Sequence, residues 1–113
     1  MDDLTKILQV TTTHDQLTGA VNTPIQLSAT FAQMDFDNLG EFDYARSGNP
    51  TRLAAEKAVA ALEHATHGYL FSSGMAAISS VLMTFSAGDH IVVTSHVYGG
   101  TFRVLTDVLS RFG

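Results

Sequence analysis

Past residue 48, stretches of helical periodicity alternate with short β-branched or aromatic runs, and that alternation leaves few architectures open. Asn49-Pro50 reads as a helix start: Asn accepts a backbone N–H as N-cap, and Pro at the first helical position loses no hydrogen bond. The spacing predicts a helix from about Pro50 to Glu63, with Leu53, Ala54, Ala58, Ala61 and Leu62 on one face. Tyr69-Leu70-Phe71, after Gly68, reads as a short buried strand. A second helix is expected from about Gly74 to Phe85, with Ile78, Val81, Leu82 and Phe85 at helical spacing. Gly88-Asp89 turns the chain into a second strand, Ile91-Val92-Val93. A last helix begins near Thr101, carrying Phe102, Leu105, Leu109 and Phe112 on one face. Strand, helix, strand in this order predicts an α/β fold with parallel strands and a right-handed crossover. Two parallel strands leave both faces and both edges uncovered, so the sequence reads as cut short at Gly113, with further strands expected in a complete protein.

Residues 1–48 differ. Turn formers (Thr11-Thr12-Thr13, Gly19, Pro24, Asn38, Gly40, Gly48) interrupt any periodicity, and the segment reads as an extended arm lying along something else. The domain expectation is therefore an arm over 1–48 and the first part of a larger α/β domain over 49–113.

Composition narrows the function classes. A net charge of −5 with only six Lys and Arg argues against nucleic acid or anionic membrane as partner. Apolar runs are too short for a membrane span. With no cysteine there is neither a disulfide framework nor a thiolate metal site. An acidic start, Met1-Asp2-Asp3, has no apolar stretch behind it to form a signal peptide, and a cytoplasmic setting is expected.

Three stretches carry candidate chemistry. Phe71-Ser72-Ser73-Gly74-Met75-Ala76-Ala77 sits where the first strand hands over to a helix. Gly74 allows close backbone approach, the free N–H groups of the helix start suit an anion, and Ser72 and Ser73 add hydroxyls. The plainer alternative is a serine N-cap beside a tight turn. Val97-Tyr98-Gly99-Gly100-Thr101 holds the same place after the second strand. There Tyr98 could lay its ring on a flat ligand and carry a proton, or simply close a loop over the core. Tyr44-Ala45-Arg46 lies in the arm; in an extended backbone both side chains project to one side, a phenol and a guanidinium suited to phosphate. The alternative is a surface arginine beside a helix cap. His64 and His67 stand three apart but lack a third ligand, so no metal site is expected.

Four of these motifs, in order, resemble the Cys/Met-metabolism family of pyridoxal-phosphate enzymes, the cystathionine lyase and synthase group. They are Thr18-Gly19-Ala20-Val21 with Thr23-Pro24-Ile25, Tyr44-x-Arg46-x-Gly48-Asn49-Pro50-Thr51-Arg52, Ser72-Ser73-Gly74-Met75-Ala76-Ala77 and Tyr98-Gly99-Gly100-Thr101. The resemblance runs from about His14 to Phe112. It implies a fold-type-I architecture like that of aspartate aminotransferase, with an N-terminal arm, a large cofactor domain and a tetramer of active dimers. It also implies pyridoxal 5′-phosphate as cofactor and a sulfur amino acid as substrate. By the same resemblance Tyr44 and Arg46 reach the cofactor phosphate of the neighbouring subunit, while Ser73, Gly74 and Met75 hold the phosphate in their own. Tyr98 becomes the ring stacked on the pyridine and a catalytic proton carrier. Gln26, where the family usually has an aromatic, and Ala55, where it usually has Leu, depart from the pattern outside the cofactor motifs.

Such chemistry needs a lysine to hold the cofactor covalently and a carboxylate against its pyridinium nitrogen. Lys6 and Lys57 are the chain's lysines, and neither resembles the family's catalytic one. The expectation is a β- or γ-eliminating lyase in the complete protein, with this chain inactive alone. The alternatives are γ-replacement (a cystathionine γ-synthase or O-acylhomoserine sulfhydrylase) and, from another class, a non-catalytic nucleotide- or flavin-binding or association module.

Overall fold

In a computed structural model, which describes residues 2–12 and 14–113, the chain forms two compact units, Met1–Leu70 and Phe71–Gly113. Thr13, expected as a turn former with Thr11 and Thr12, lies outside the described residues, as does Met1.

The first unit opens with a helix, α1 (Asp3–Thr11), where an extended arm was expected. The signal for it is local. Asp2 caps the helix by accepting the Thr5 N–H at 2.7 Å, and Leu4, Ile7 and Leu8 recur at helical spacing. Nine residues followed by threonines hid that period behind the turn formers. Asp15 then folds the chain back, its carboxylate accepting from the Leu17 and Thr18 N–H groups. Gly19 completes the turn at φ +73°, a conformation that glycine adopts without cost, which accounts for its place in the Thr18-Gly19 motif. Single antiparallel bridges, Thr12 to Asn22 and Thr30 to Tyr44, tie the rest of the segment together.

The second helix, α2 (Pro50–Leu62), forms as expected, and α1 packs against it. Its far end closes in a Schellman motif: the Ala65 N–H donates to Ala60 O and the His64 N–H to Ala61 O, with His64 left-handed at φ +52°. His64 thus serves as the helix stop, and its ring points toward Asp3, with Nε2 3.9 Å from the carboxylate. Beyond it Gly68 runs hard against α2. A Cβ there would stand 2.5 Å from the Glu56 carbonyl oxygen and 3.2 Å from the Ala60 nitrogen. Ala60, on this side, is the most buried residue described.

The second unit contains α3 (Gly74–Leu82), which ends three residues earlier than its apolar period suggests, and α4 (Gly99–Arg103). The last helix continues past Arg103 as a π turn over Val104–Val108 and a 3-10 turn over Leu109–Arg111. Hydroxyls explain the change: Thr106 and Ser110 each donate to the carbonyl four residues back, a competition that loosens and bends helices. Leu82, Phe85, Ile91, Leu105, Leu109 and Phe112 face one open groove.

The expected parallel strands do not form among the described residues. Neither 69–71 nor 91–93 pairs, and the described residues contain no strand beyond the two isolated bridges. A strand is stable only against a neighbour, and the apolar side chains of these runs stand open instead, Tyr69 at 72% and Val92 at 86% exposure. Large apolar side chains stand exposed in each unit, Phe36 at 99% in the first and Phe112 at 71% in the second. Among the described residues no helix is long and apolar enough to cross a membrane.

Candidate functional site

In the second unit, the helix-start cup is built as the sequence suggests. Ser73 is the N-cap of α3, its Oγ accepting the Ala76 N–H at 3.1 Å. The plainer serine-cap alternative is therefore realised. It satisfies one N–H and leaves those of Gly74 and Met75, in the first turn, without an acceptor among the described residues. Two free N–H groups at the positive end of a helix form a ready anion seat.

Tyr98 comes to the same place. It stands immediately before α4, and Gly100 is what allows its position. A Cβ on Gly100 would lie 2.7 Å from Tyr98 Cε1 and 3.0 Å from Met75 Sδ. Thr101 adds a second tie, its hydroxyl 3.9 Å from the same sulfur. The Tyr98 ring and Met75, two residues named separately from the sequence, therefore meet across one glycine. Tyr98 is 72% exposed, so it does not plug a core.

Tyr44 and Arg46 belong to the first unit. They also meet, though by a different route from strand alternation. The backbone turns at Tyr44: its carbonyl accepts from the Ser47 and Gly48 N–H groups at 3.0 and 2.9 Å. This turn swings Arg46 back over the Tyr44 ring, with the guanidinium carbon 5.3 Å from the ring centroid and Nη2 donating to the Tyr44 hydroxyl at 3.1 Å. Among the described residues no carboxylate pairs with Arg46. An exposed arginine braced by a phenol and lacking a counter-ion suits phosphate.

What holds that pair lies partly in residues to which the sequence assigned no role. The Thr30–Tyr44 bridge is flanked by the Phe31 N–H to Asp43 O and the Ala45 N–H to Ala29 O bonds. Asn49 caps α2 through Oδ1 while its amide donates to Gln26 O, and the Thr51 hydroxyl accepts from the Gln26 N–H and donates to Pro24 O. The Thr-Pro-Ile and Asn-Pro-Thr motifs are thus two sides of one joint. Arg52 gathers the carbonyls of Ala45, Arg46 and Ser47. Its i, i+4 spacing to Glu56 was the available signal.

The Ser73–Met75 cup with Tyr98 and the Tyr44–Arg46 pair are each complete within one unit, and each has the donors that an anionic cofactor requires. No group of three metal-ligating side chains converges among the described residues.

The family model described as "Cys/Met metabolism PLP-dependent enzyme" matches residues 4–113. Cystathionine beta-lyase MetC of Bacillus subtilis is 58% identical over 96 residues, 85% of this chain and 25% of that protein. Cystathionine gamma-lyase of the same organism is 50% identical over 101 residues, 89% of the chain and 27% of that protein. A solved cystathionine gamma-lyase from Lactobacillus plantarum, complexed with L-serine, superposes over the whole chain with a TM-score of 0.88 at 45% identity. That match takes in 29% of the solved chain, so this chain spans about a quarter to three-tenths of the relatives it resembles.

Proposed function

The chain belongs to the Cys/Met metabolism family of PLP-dependent enzymes, and from that premise we propose that it forms the opening part of a C–S lyase. The complete enzyme would eliminate at the β or γ carbon of cystathionine or a related sulfur amino acid. The names of the relatives support elimination: the proteins at 58% and 50% identity are a β-lyase and a γ-lyase.

In this reading residues 1–48 are an arm, and 49–113 begin the large cofactor domain. The runs at 69–71 and 91–93 pair in parallel with strands from the remainder of the protein. The open apolar faces support this, since each needs a cover that the chain itself does not provide.

The observation that carries the cofactor reading is the meeting of Tyr98 and Met75 across Gly100, beside the two free N–H groups of α3. Gly74 and Met75 would donate those N–H groups to the cofactor phosphate, with Ser73 fixing the turn. The Tyr98 ring would lie on the pyridine, and its hydroxyl would carry a proton to or from substrate. Tyr44 and Arg46 would serve the phosphate of the neighbouring subunit in a homodimer or a tetramer of dimers; their exposure and the missing counter-ion support that role. When bound, the cofactor supplies an electron sink for the charge left as a proton departs the substrate's α-carbon. Lys6 lies 3.3 Å from Asp3 and Lys57 is exposed on α2, so neither is held as a covalent anchor, and the chain alone is expected to be inactive.

Incubating the full-length protein with pyridoxal 5′-phosphate and cystathionine, and following thiol and keto-acid release, tests the reading. Release that falls by about 10²-fold or more in Tyr98→Phe supports the role of Tyr98 as proton carrier. A full-length protein that binds the cofactor but only exchanges the γ-substituent overturns the lyase reading in favour of γ-replacement.

A further inference from the structure

Resting on the reading of Tyr44 and Arg46 as phosphate-facing residues, we propose that Arg52 is a positioning residue that sets the phosphate affinity of that pair without touching the cofactor. The turn that carries Arg46 points three successive carbonyls, those of Ala45, Arg46 and Ser47, toward one spot. Carbonyl oxygens brought close together repel one another, and a multidentate donor at their focus offsets this. Arg52 is that donor. Nη1 donates to Ala45 O at 3.2 Å and to Arg46 O at 3.3 Å, and Nη2 donates to Ser47 O at 2.7 Å.

The remaining nitrogen is also in use. Nε lies 3.5 Å from Glu56 Oε1, with the two side chains 33% and 15% exposed. The same Glu56 oxygen accepts the Leu70 N–H at 3.0 Å. Glu56 therefore supplies the counter-charge to the guanidinium while being held itself by the backbone across from α2. A fork is required: three carbonyls accept from the two terminal nitrogens at once, in directions that a planar guanidinium meets together and a single ammonium does not. Loss of the fork frees the backbone at Arg46 itself, the residue whose guanidinium must be aimed. The Tyr44 hydroxyl braces only the tip of that side chain.

Full-length apoprotein titrated with pyridoxal 5′-phosphate, and in parallel with pyridoxal lacking the phosphate, tests this. The variants are Arg52→Met, Arg52→Lys, Arg46→Met and the Arg46→Met/Arg52→Met pair. Arg52→Met and Arg52→Lys should each weaken pyridoxal phosphate by about 10–100-fold, the range seen when outer-shell partners of a metal's ligands are removed. Pyridoxal affinity should stay within about twofold, well under the tenfold that 1.4 kcal/mol represents. In the Arg46→Met background Arg52→Met should add nothing further, because its effect passes through Arg46. Arg52→Lys, which retains the positive charge, decides the matter if Arg52→Met fails to fold. Equal loss of both ligands, no loss of either, or a fully additive double variant overturns the inference while Arg46→Met still weakens pyridoxal phosphate. An Arg46→Met variant with unchanged affinity sinks the phosphate reading of the Tyr44–Arg46 pair, and this inference with it.

Discussion

Gly100→Ala separates stability from cofactor binding. The added methyl carbon would stand 2.7 Å from Tyr98 Cε1 and 3.0 Å from Met75 Sδ, against an optimal carbon–carbon separation of about 3.5–4.0 Å. The ring must therefore retreat by roughly 1 Å. Folding should tolerate this, since Tyr98 is 72% exposed and can swing into solvent. Alanine also gains about 1 kcal/mol over glycine within a helix, and Gly100 lies in α4. The two effects oppose each other, and the melting temperature of the full-length protein should hold or rise slightly. The ring, however, no longer stands beside Met75. A displacement of about 1 Å at a positioned group can cost on the order of 10²-fold in rate, so turnover should fall steeply. Loss of the stacked ring, worth about 0.5–1.5 kcal/mol, should also weaken cofactor binding, read by absorbance titration. A Gly100→Ala protein that binds pyridoxal 5′-phosphate as tightly as the parent would refute the argument. A large loss of stability would refute it as well, because it would place Tyr98 in a core contact.

Gly68→Ala should act in the opposite sense. Its methyl would meet the Glu56 carbonyl oxygen at 2.5 Å and the Ala60 nitrogen at 3.2 Å, both backbone atoms of α2 that cannot swing aside. Overpacking of this kind typically costs about 1–3 kcal/mol, more than the gain of about 0.4–1 kcal/mol from a stiffer unfolded chain. Denaturant unfolding of the full-length protein should therefore show a lower midpoint. The acidic turns give a pH signature. The Thr18 N–H, with its hydroxyl, holds the Asp15 carboxyl below the ordinary aspartate value, and the Thr5 N–H does the same for Asp2. A depressed carboxylate stabilises fully above the unfolded value of about 3.9, and that contribution disappears as pH falls through the folded one. Carboxyl-carbon NMR should find both midpoints under about 3.9, with the 15–20 turn and the start of α1 intact at pH 5 and loosening only below pH 4. A midpoint at or above the ordinary value contradicts the hydrogen-bond assignment.

The features legible in the sequence were those written in local chemistry. Asn49-Pro50 starts α2 and Ser73 starts α3, because a cap needs only its own side chain and the next two or three N–H groups. The grouping of Tyr44 with Arg46 was also readable, although a turn and not an extended strand brings the two together. The strands were not realised, since 69–71 and 91–93 have β-type side chains while strand formation depends on partners distant in the chain. Helix α1 was missed because its nine-residue period is overlain by threonines, and α3 stops before Phe85 because Thr84 and Phe85 bond to the carbonyls three residues back. The support for the site was least visible. Arg52 collecting three carbonyls depends on the path of a turn that no spacing encodes, and only its pairing with Glu56 has a sequence signature.

The account rests most heavily on the helix start at Ser73–Met75 as the phosphate seat beneath Tyr98. A crystal structure of the full-length protein grown with pyridoxal 5′-phosphate tests that directly. The account predicts phosphate oxygens accepting the Gly74 and Met75 N–H groups, with the Tyr98 ring over the pyridine. A phosphate bound elsewhere, with those two N–H groups facing water or a protein carbonyl, would contradict it.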